Sequence, residues 1–407
     1  MEFVNGMYSI REIFRIGRGP SSSHTMAPSN ACLTAMREVP YAERFEVYLY
    51  GSLAKTGKGH RTDYAIKKTI GEDKVKIFFD EGKNDLPHPN TMCILAYNGE
   101  EKIYEKTFLS VGGGTIIVYG EKNKKQNLIY REAHFSDIEA VVRKKGIGLD
   151  EYVFMNEGTE IKEYLYRVLE RMRETINIGI NSEGVIPGGL KVKRKAKILF
   201  DEGNKKAFGH EKEIYMMSAF AYAASEENAC GEMMVTAPTC GASGVLPAVL
   251  MFKQIERGYS DESLVSAIAV AGIIGNLIKH NASISGAECG CQAELGSACA
   301  MAAAAFAFLK GLNLSQIECS AEIALEHHLG LTCDPINGLV QIPCIERNAA
   351  FAMRAVDAVS LAEMLHDKRK ISLDSVIETM YNTGRDIPCI YRETSEGGLA
   401  KLKIVCD

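Results

Sequence analysis

Three cysteines in the C-terminal half of the chain have the spacing of ligands that a folded scaffold brings to one metal centre. They are Cys291, Cys333 and Cys344, separated by 42 and 11 residues, and the first belongs to the string Cys289-Gly290-Cys291. A compact zinc module places its ligands close together in sequence, whereas a cluster between helices draws them from distant segments. The cysteines therefore indicate a metal cluster. The tight bite of Cys-X-Cys lets only one of the two thiols bind a given metal ion easily.

Two turns rich in serine and threonine are candidates for holding a carboxylate. The first follows a Gly-Pro pair, precedes a helix predicted over residues 26–37, and contains Ser21, Ser22 and Ser23. The second precedes a helix predicted to start near Val245 and contains Thr239, Cys240, Gly241 and Ser243. Backbone N–H groups at a helix start, with hydroxyls beside them, bind anions well. The alternatives are a plain N-cap and a glycine-rich helix–helix turn. Cys240 is a candidate fourth metal ligand or nucleophile, but no base is evident for it.

Two histidines are candidates for a general base, because an imidazole titrates near neutral pH. His24 directly follows the serines, and His60 ends the string Gly57-Lys58-Gly59-His60. We favour His60, because a loop flanked by glycines can close over a substrate. The same loop is only a weak nucleotide-binding signal, since it lacks the Gly-Lys-Ser/Thr order.

Three further residues near the cysteines or the end of the chain have a less definite interpretation. His327 and His328 face different sides of a helix, and each is expected to pack or support a ligand rather than bind metal. Glu393 lies in a polar, glycine-rich segment that is either a loop capping the site or a solvated surface loop.

The period of the hydrophobic pattern changes along the chain and predicts the fold class. Alternating strands are expected at 45–50, 75–79, 91–97, 102–110 and 115–119, with helices near 63–70 and 136–145. Residues 1–150 are therefore predicted to be an α/β or α+β domain with a mostly antiparallel sheet. One long charged helix over 152–178 is expected within a connector at 151–180. The remainder, 181–407, is expected to be an all-α catalytic domain rich in alanine and glycine, ending in a tail.

Composition and charge exclude several classes of function. A net charge of −5 and a pI near 6.1 give no reason to expect binding to nucleic acid or to an anionic membrane. The longest apolar run, residues 264–278, is too short to span a bilayer and predicts a buried core helix. No signal-peptide pattern is seen at the N-terminus, so we expect a cytoplasmic protein with free or metal-bound thiols among its twelve cysteines. Six of them are predicted to be small buried hydrophobes: Cys32, Cys93, Cys230, Cys299, Cys319 and Cys389.

Taken together, these strings resemble the iron–sulfur-dependent bacterial L-serine dehydratases over essentially the whole chain. The matching segments are 19–25, 57–60, 187–193, 290–292, 326–335, 342–349, 391–395 and the tail. The resemblance implies a [4Fe–4S] cluster held by Cys291, Cys333 and Cys344, in an enzyme that is usually a dimer, here expected to be a homodimer. It also implies that a cysteine in the tail, here Cys406, masks the open iron until substrate displaces it.

The reaction implied by the resemblance is the conversion of L-serine to pyruvate and ammonia without pyridoxal phosphate. Elimination of water requires groups that hold the substrate, a base for the α-proton and a Lewis acid that assists the departing hydroxyl. The serine and threonine turns, His60 or His24, and an iron with only three protein ligands are expected to fill these roles. Three alternatives are a sister enzyme acting on L-cysteine or L-threonine, a cluster-bearing sensor, and a zinc enzyme using the same cysteines.

Overall fold

A computed structural model describes residues 6–83, 85–121, 128–394 and 396–402 of the chain. The strands are β1 Ile16–Arg18, β2 Arg44–Tyr50, β3 Val75–Asp80, β4 Thr91–Asn98, β5 Glu101–Ser110, β6 Ile116–Val118 and β7 Met233–Val235. The helices are α1 Ala27–Glu38, α2 Ser52–Thr56, α3 Thr62–Ile70, α4 Phe135–Lys145, α5 Leu149–Glu157, α6 Glu160–Asn181, α7 Ala196–Asn204, α8 His210–Cys230, α9 Val245–Arg257, α10 Asp261–Asn281, α11 Gly286–Cys289, α12 Ser297–Leu309, α13 Leu314–Glu326, α14 Cys344–Leu365 and α15 Leu373–Asp386. The predicted order, an α/β region followed by a helical region, is confirmed.

Five strands form one sheet in the order β3-β2-β4-β5-β6. Only β2 and β3 run parallel, so the prediction of a mostly antiparallel sheet is confirmed. Alternate residues of β2 are buried, as period-2 patterning requires, and they pack beneath α1, α2 and α3. One sheet face therefore carries the helices that hold the N-terminal part of the site.

The helical region has a separate and larger hydrophobic core. This core includes α6, α8, α9, α10, α12 and α14, and it also takes in residues from 7–14 and 130–153. The predicted domain boundaries at 150 and 181 remain a prediction. Small residues let the helices approach closely: a Cβ on Gly179 of α6 would lie 2.4 Å from the carbonyl oxygen of Ala223 in α8.

The single helix predicted over 152–178 is wrong, because α5 ends at Glu157 and α6 begins at Glu160. Gly158 separates them with a φ of +80°, a left-handed conformation that ends a helix and that glycine adopts without strain. Leu165, Val168 and Met172 of α6 lie in the large core. The helix is therefore an integral part of the helical region.

Two apolar segments long enough to cross a bilayer, 261–281 and 292–309, are buried inside the fold. The buried share of their most apolar windows is 78% and 83%, respectively. This is the environment expected for core helices of a globular protein, as the sequence predicts for 264–278.

The N-terminal segment joins the two regions. It forms a single 3₁₀ turn, Ile10–Glu12, followed by β1. Strand β1 pairs antiparallel with β7 from the helical region, with Gly17 opposite Met234. Because β1 leads directly into the serine turn, this long-range pair fixes the turn against the helical region.

Candidate active site

The two predicted bases, His24 and His60, lie side by side in a buried position. His24 is part of a π-helical turn, Ser22–Met26, that continues into α1, while His60 lies in the turn between α2 and α3. The centroids of the two imidazole rings are 4.4 Å apart, and the rings are 0% and 1% exposed. Thr25 donates a hydrogen bond to the backbone oxygen of His60 at 3.1 Å, which ties the two turns together.

Glu393 brings a carboxyl group to both imidazoles. Its Oε1 atom lies 3.4 Å from Nδ1 of His24 and 3.7 Å from Nε2 of His60, and the side chain is buried. The residue has a φ of +58°, which is uncommon for a residue other than glycine. Its N–H donates to the Cys333 carbonyl at 2.7 Å. The geometry favours a loop that caps the site over a solvated surface loop for this segment.

The hydrogen bonds of the two histidines distinguish their roles. His24 has both ring nitrogens engaged, Nδ1 with the Ser23 hydroxyl at 2.8 Å and Nε2 with the Ser52 hydroxyl at 3.1 Å. His60 donates from Nδ1 to the Thr56 carbonyl at 3.1 Å, which leaves Nε2 as its unprotonated atom. Among the described residues, Nε2 of His60 makes no hydrogen bond. It is therefore the nitrogen available to accept a proton.

Burial favours the neutral form of both imidazoles and the protonated form of the nearby carboxyl. It lowers the pKa of His60 to about 4, against the effect of the hydrogen bond to Thr56, and lowers the pKa of His24 well below its usual value, assisted by the neighbouring His60. Burial and repulsion from Glu294 raise the pKa of Glu393 well above its usual range. The site thus places a neutral imidazole beside a carboxyl group that holds its proton more strongly than usual.

The His60 turn is packed rather than open. A Cβ on Gly59 would lie 2.6 Å from the carbonyl oxygen of Asn337, so glycine is required here for the close approach of two backbones. Sequence reasoning assigned the glycine to loop closure, whereas its observed role is to let the turn pack against the segment between Cys333 and Cys344.

The three predicted metal ligands converge on one cavity together with His60 and Glu393. Cys291 follows α11 and Gly290, Cys333 follows α13, and Cys344 begins α14. The lining of this cavity, which we call the catalytic cavity, is Pro20, Ser21, His60, Gly241, Cys291, Glu294, Leu295, Cys333, Pro335, Val340, Cys344 and Glu393. Segments far apart in sequence therefore meet here, as the cysteine spacing indicates.

The donor set fits a thiolate-bound metal group. Cys291, Cys333 and Cys344 are the cysteines among the described residues that line the catalytic cavity. Thiolates are the ligands that iron–sulfur clusters use, and they also bind zinc.

Three other groups lie close enough together to hold one metal ion. His24, His60 and Glu393 each offer an atom within 4.8 Å of the others. Metal binding needs a free lone pair, and hydrogen bonds to Ser23 and Ser52 already occupy both nitrogens of His24. We therefore interpret these residues as proton-handling groups.

The charges around the cysteines come from residues that sequence reasoning did not single out. A hydrogen bond from Cys333 and the charge of Arg347 hold the pKa of Cys291 below its usual value, against the effect of burial. Burial raises the pKa of Glu294, whose Oε2 lies 3.9 Å from the Cys333 sulfur. Arg347 ends the string Pro343–Arg347, which also contains Cys344. This closeness in sequence to a predicted ligand is the signal that could have identified Arg347.

The predicted carboxylate-binding residues are only partly brought together. Ser21 and Gly241 line the catalytic cavity. Ser23 instead supports His24, and the Ser243 hydroxyl donates to the Cys240 carbonyl at 2.7 Å. Ser22 and Thr239 are buried, but neither lines the cavity. The substrate-binding role of these residues stays a prediction.

Asn348 connects the second turn to the cysteines and was missed as a functional residue. Its Nδ2 donates to the carbonyls of Gly241 at 2.8 Å and Cys344 at 2.9 Å, while its Oδ1 accepts from the Gly244 N–H at 2.9 Å. The side chain is completely buried. It therefore sets the position of the Thr239–Ser243 turn relative to the start of α14.

Other cysteines and histidines have structural surroundings. Cys240 packs against Met26 and Met234, and burial raises its pKa strongly, which makes the thiol a poor nucleophile. His328 is buried against the ring of Phe351 at 4.1 Å, so the expectation that it packs is confirmed.

The prediction of small buried cysteines holds for three of the six residues. Cys32, Cys299 and Cys319 are buried, whereas Cys93 and Cys230 are half-buried. The prediction is wrong for Cys389, which is exposed, because the segment after α15 lies on the surface. Cys406 lies outside the described residues.

Comparisons with known proteins identify the family. A family model described as the serine dehydratase alpha chain matches residues 69–400, and one described as the serine dehydratase beta chain matches residues 9–72. L-serine dehydratase 2 of Escherichia coli K12 is 39% identical over 455 residues, covering 98% of this chain and 100% of the relative. The chain belongs to the serine dehydratase family. An L-serine dehydratase of Streptomyces coelicolor is 38% identical, covering 98% and 99%, and one of Helicobacter pylori J99 is 37% identical, covering 97% and 98%.

Membership of the serine dehydratase family confirms the class of enzyme that the sequence predicts. The chain is a lyase, and the matches support elimination from L-serine. They do not favour the alternative of a sister enzyme acting on L-cysteine or L-threonine.

Proposed function

We propose that the chain binds a [4Fe–4S] cluster through Cys291, Cys333 and Cys344 and converts L-serine to pyruvate and ammonia at the catalytic cavity. The observation that carries this proposal is the meeting of three thiols with an unoccupied imidazole nitrogen, Nε2 of His60, in one buried cavity. Thiols alone suit a structural or sensing cluster. A free base beside them supplies the proton transfer that an elimination requires.

His60 is proposed to take the α-proton of the substrate. Its Nδ1–H is fixed by Thr56, so the ring cannot turn without losing a buried hydrogen bond, and Nε2 stays directed at the cavity. A pKa of about 4 leaves the ring unprotonated at neutral pH. His24, whose nitrogens are both occupied, is proposed to support the geometry of the pair rather than to accept the α-proton.

Glu393 is proposed to give its proton to the departing β-hydroxyl and then to take up the proton that His60 collects. Its carboxyl lies 3.7 Å from Nε2 of His60, and burial favours its protonated form. The imidazole accepts one proton from carbon, the carboxyl donates one to the leaving group, which departs as water, and transfer from the imidazolium to the carboxylate restores both groups. The cluster supplies a Lewis-acidic iron that assists departure of the β-hydroxyl when it is bound. The aminoacrylate released by elimination then tautomerises and hydrolyses to pyruvate and ammonia.

The carboxylate of L-serine is proposed to bind between the two turns that line the cavity. Ser21 lines the cavity from the α/β region, and Gly241 lines it from the helical region. The Arg347 guanidinium, close to Cys291, adds positive charge on the helical side. Ser22, Ser23, Thr239 and Ser243 are proposed to hold these turns in place and to contribute backbone donors.

Anaerobic purification tests the proposal directly. We expect brown protein with absorption from thiolate-to-iron charge transfer, and pyruvate formed from L-serine, with both properties lost in air. Colourless protein that still makes pyruvate contradicts the cluster, and brown protein without turnover contradicts the elimination. Equal turnover of L-serine, L-cysteine and L-threonine contradicts the substrate assignment.

The tail, the oligomer and the location are further parts of the proposal. Cys406 is proposed to be a displaceable fourth ligand of the cluster, although the residue lies outside the described range. The active form is proposed to be a cytoplasmic homodimer. Light scattering of the anaerobic protein measures its oligomeric state. A molecular mass of 44.6 kDa, that of one chain, contradicts the homodimer.

A further inference from the structure

A second cavity, of about 420 Å³, lies beside the catalytic cavity and opens between the α/β region and the helical region. We call it the outer cavity. Its size is within the range of roughly 300–1,000 Å³ that small-molecule sites occupy. The lining residues that matter here are Ser52, Lys55, Cys289, Arg385, Cys389 and Arg392. Lys55, Arg385 and Cys389 are exposed, whereas the ligands and bases of the catalytic cavity are mostly buried.

The wall between the two cavities is one residue thick. In one segment, Arg392 and Thr394 line the outer cavity while Glu393 between them lines the catalytic cavity. In a second segment, Cys289 lines the outer cavity and Cys291 lines the catalytic cavity. Three consecutive residues, 392–394, therefore serve both cavities.

Ser52 reaches from the outer cavity to the catalytic groups. Its hydroxyl pairs with Nε2 of His24 at 3.1 Å and donates to the Glu393 carbonyl at 3.0 Å. A molecule in the outer cavity is therefore separated from the imidazole pair by a single hydroxyl and a single peptide segment.

The outer cavity contains two guanidinium groups without carboxylate partners. Within the described residues, neither Arg385 nor Arg392 forms a salt bridge. Nη1 of Arg392 donates to the Glu288 carbonyl at 3.0 Å, and its Nε is buried without a partner. Lys55 differs, because Glu396 neutralises it at 2.5 Å.

Glu288 also lines the outer cavity and interacts with the charge of Arg392, but its carboxylate forms its hydrogen bonds with other groups. Nε2 of His88 lies 2.9 Å from Oε1 of Glu288, and the Ser283 hydroxyl donates to Oε2 of Glu288 at 2.5 Å. Nδ1 of His88 accepts from the Asn90 N–H at 3.0 Å, so Nε2 carries the hydrogen and donates to Glu288. A buried guanidinium nitrogen without a partner is satisfied by a hydrogen-bond acceptor, and a carboxylate from solution is a strong one.

We propose that the outer cavity is the route by which L-serine reaches the catalytic cavity, with Arg385 and Arg392 binding its carboxylate on the way. This inference rests on the proposed function and adds the path and the specificity for a carboxylate. Passage requires residues 392–394 to move aside. A few hydrogen bonds hold Glu393 in a left-handed conformation, which is strained for a residue other than glycine. Movement of the segment relieves this strain, which offsets part of the free energy lost with the hydrogen bonds.

Replacement of Arg385 measures the carboxylate contact. We expect Arg385→Ala to raise KM about tenfold with kcat unchanged, since a charge-assisted hydrogen bond used only in capture is lost. Arg385→Lys is expected to recover most of the affinity. Arg354→Ala, which removes an exposed arginine of α14, is the matched control and should leave both constants unchanged. An unchanged KM for Arg385→Ala, or an equal effect at Arg354, overturns the proposal.

The exposed thiol of Cys389 allows the route to be blocked. Maleimides of increasing size, added anaerobically to the cluster-containing enzyme, are expected to lower kcat/KM progressively, while Cys389→Ser is insensitive. Full activity with a bulky adduct at Cys389 overturns the route even if Arg385 binds substrate. An effect that persists in Cys389→Ser places the damage at another cysteine and also contradicts the proposal.

Protection from alkylation tests the same site without turnover. We expect L-serine to slow the reaction of Cys389 with iodoacetamide at least threefold, measured by mass spectrometry, in the wild-type enzyme but not in Arg385→Ala. Absence of protection in the wild type contradicts the outer cavity as a binding site. Protection without pyruvate formation contradicts the proposed elimination instead, so the two failures are distinguishable.

Discussion

The two halves of the catalytic cavity differ in what holds them in place. In the half from the α/β region, hydrogen bonds within the protein fix both imidazoles and leave one nitrogen, Nε2 of His60, unoccupied. In the half from the helical region, a hydrogen bond with Cys291 and burial raise the pKa of Cys333, and burial raises the pKa of Cys344. Buried neutral thiols are not yet metal ligands, since binding needs thiolates.

On the proposed assignment, the protein organises the base by itself but organises the ligands together with the group that they bind. Arg347 adds the positive charge that stabilises a thiolate at Cys291. The histidine half is therefore expected to persist in the protein without cluster, and the cysteine half is not. Changing a residue of one half and measuring the response of the other half tests this contrast.

The largest effect is expected from Cys333→Ala. Loss of one of three ligands should abolish the visible absorption and lower pyruvate formation to background, at least about 10³-fold, because no metal remains to assist the leaving group. Iron content and absorbance per chain are the measurements. Cys93→Ser, at a half-buried cysteine of β4, is the control and should retain both. A Cys333→Ala protein that keeps its iron contradicts the assignment of this ligand.

The next effect is expected from His60→Ala, which removes the base and leaves the cysteine half intact. We expect kcat to fall about 10²–10⁴-fold while iron content stays that of the wild type. His327→Ala alters an exposed histidine and serves as the control. Near-normal turnover in His60→Ala with an intact cluster would assign the proton transfer to another group, with His24 the first candidate.

Acid is expected to destabilise the histidine half through His60. Its folded pKa of about 4 lies below the ordinary value of about 6.5, so the unfolded chain binds the proton first as pH falls. The contribution of His60 to the free energy of unfolding is therefore fully present above pH 6.5 and is lost as the pH falls to 4. The loss amounts to about 3 kcal/mol. Urea unfolding of the wild type and His60→Gln at pH 7 and pH 4 measures the difference. Equal losses in the two proteins show that His60 is not held neutral.

A smaller effect is expected from Asn348→Ala, which loosens the cysteine half. Three backbone groups, which are buried or part-buried, lose their side-chain partner, which should lower the free energy of unfolding by about 2 kcal/mol. Asn177→Ala, at an exposed position of α6, should change it by less than about 0.5 kcal/mol. Reduced cluster retention in Asn348→Ala, with His60 chemistry unchanged, sharpens the contrast between the halves. Wild-type stability in Asn348→Ala contradicts the role given to this residue.

Sequence reasoning reached the elements whose signals are local. Alternation in β2 and the change to helical periodicity are visible within a few residues, and the cysteine separations exclude a compact module without reference to any distant contact. The break at Gly158 was missed because the charged pattern continues through it. Only the left-handed backbone at that glycine reveals the end of α5.

Contacts between distant segments account for what sequence could not supply. Nothing near residue 393 shows that its carboxyl meets imidazoles at positions 24 and 60. The choice between His24 and His60 depends on partners, Ser52 and Thr56, that become informative only when the hydrogen bonds are known. Ser23 was assigned to substrate from composition, but its hydroxyl is already used by His24.

The one-residue wall makes one short segment serve two cavities at once. Insertion or deletion of a single residue before Glu393 would bring a neighbouring side chain, in one case the guanidinium of Arg392, to the position of the carboxyl beside the imidazoles. The length of the chain at this wall is therefore constrained, a restriction that side-chain chemistry alone does not impose.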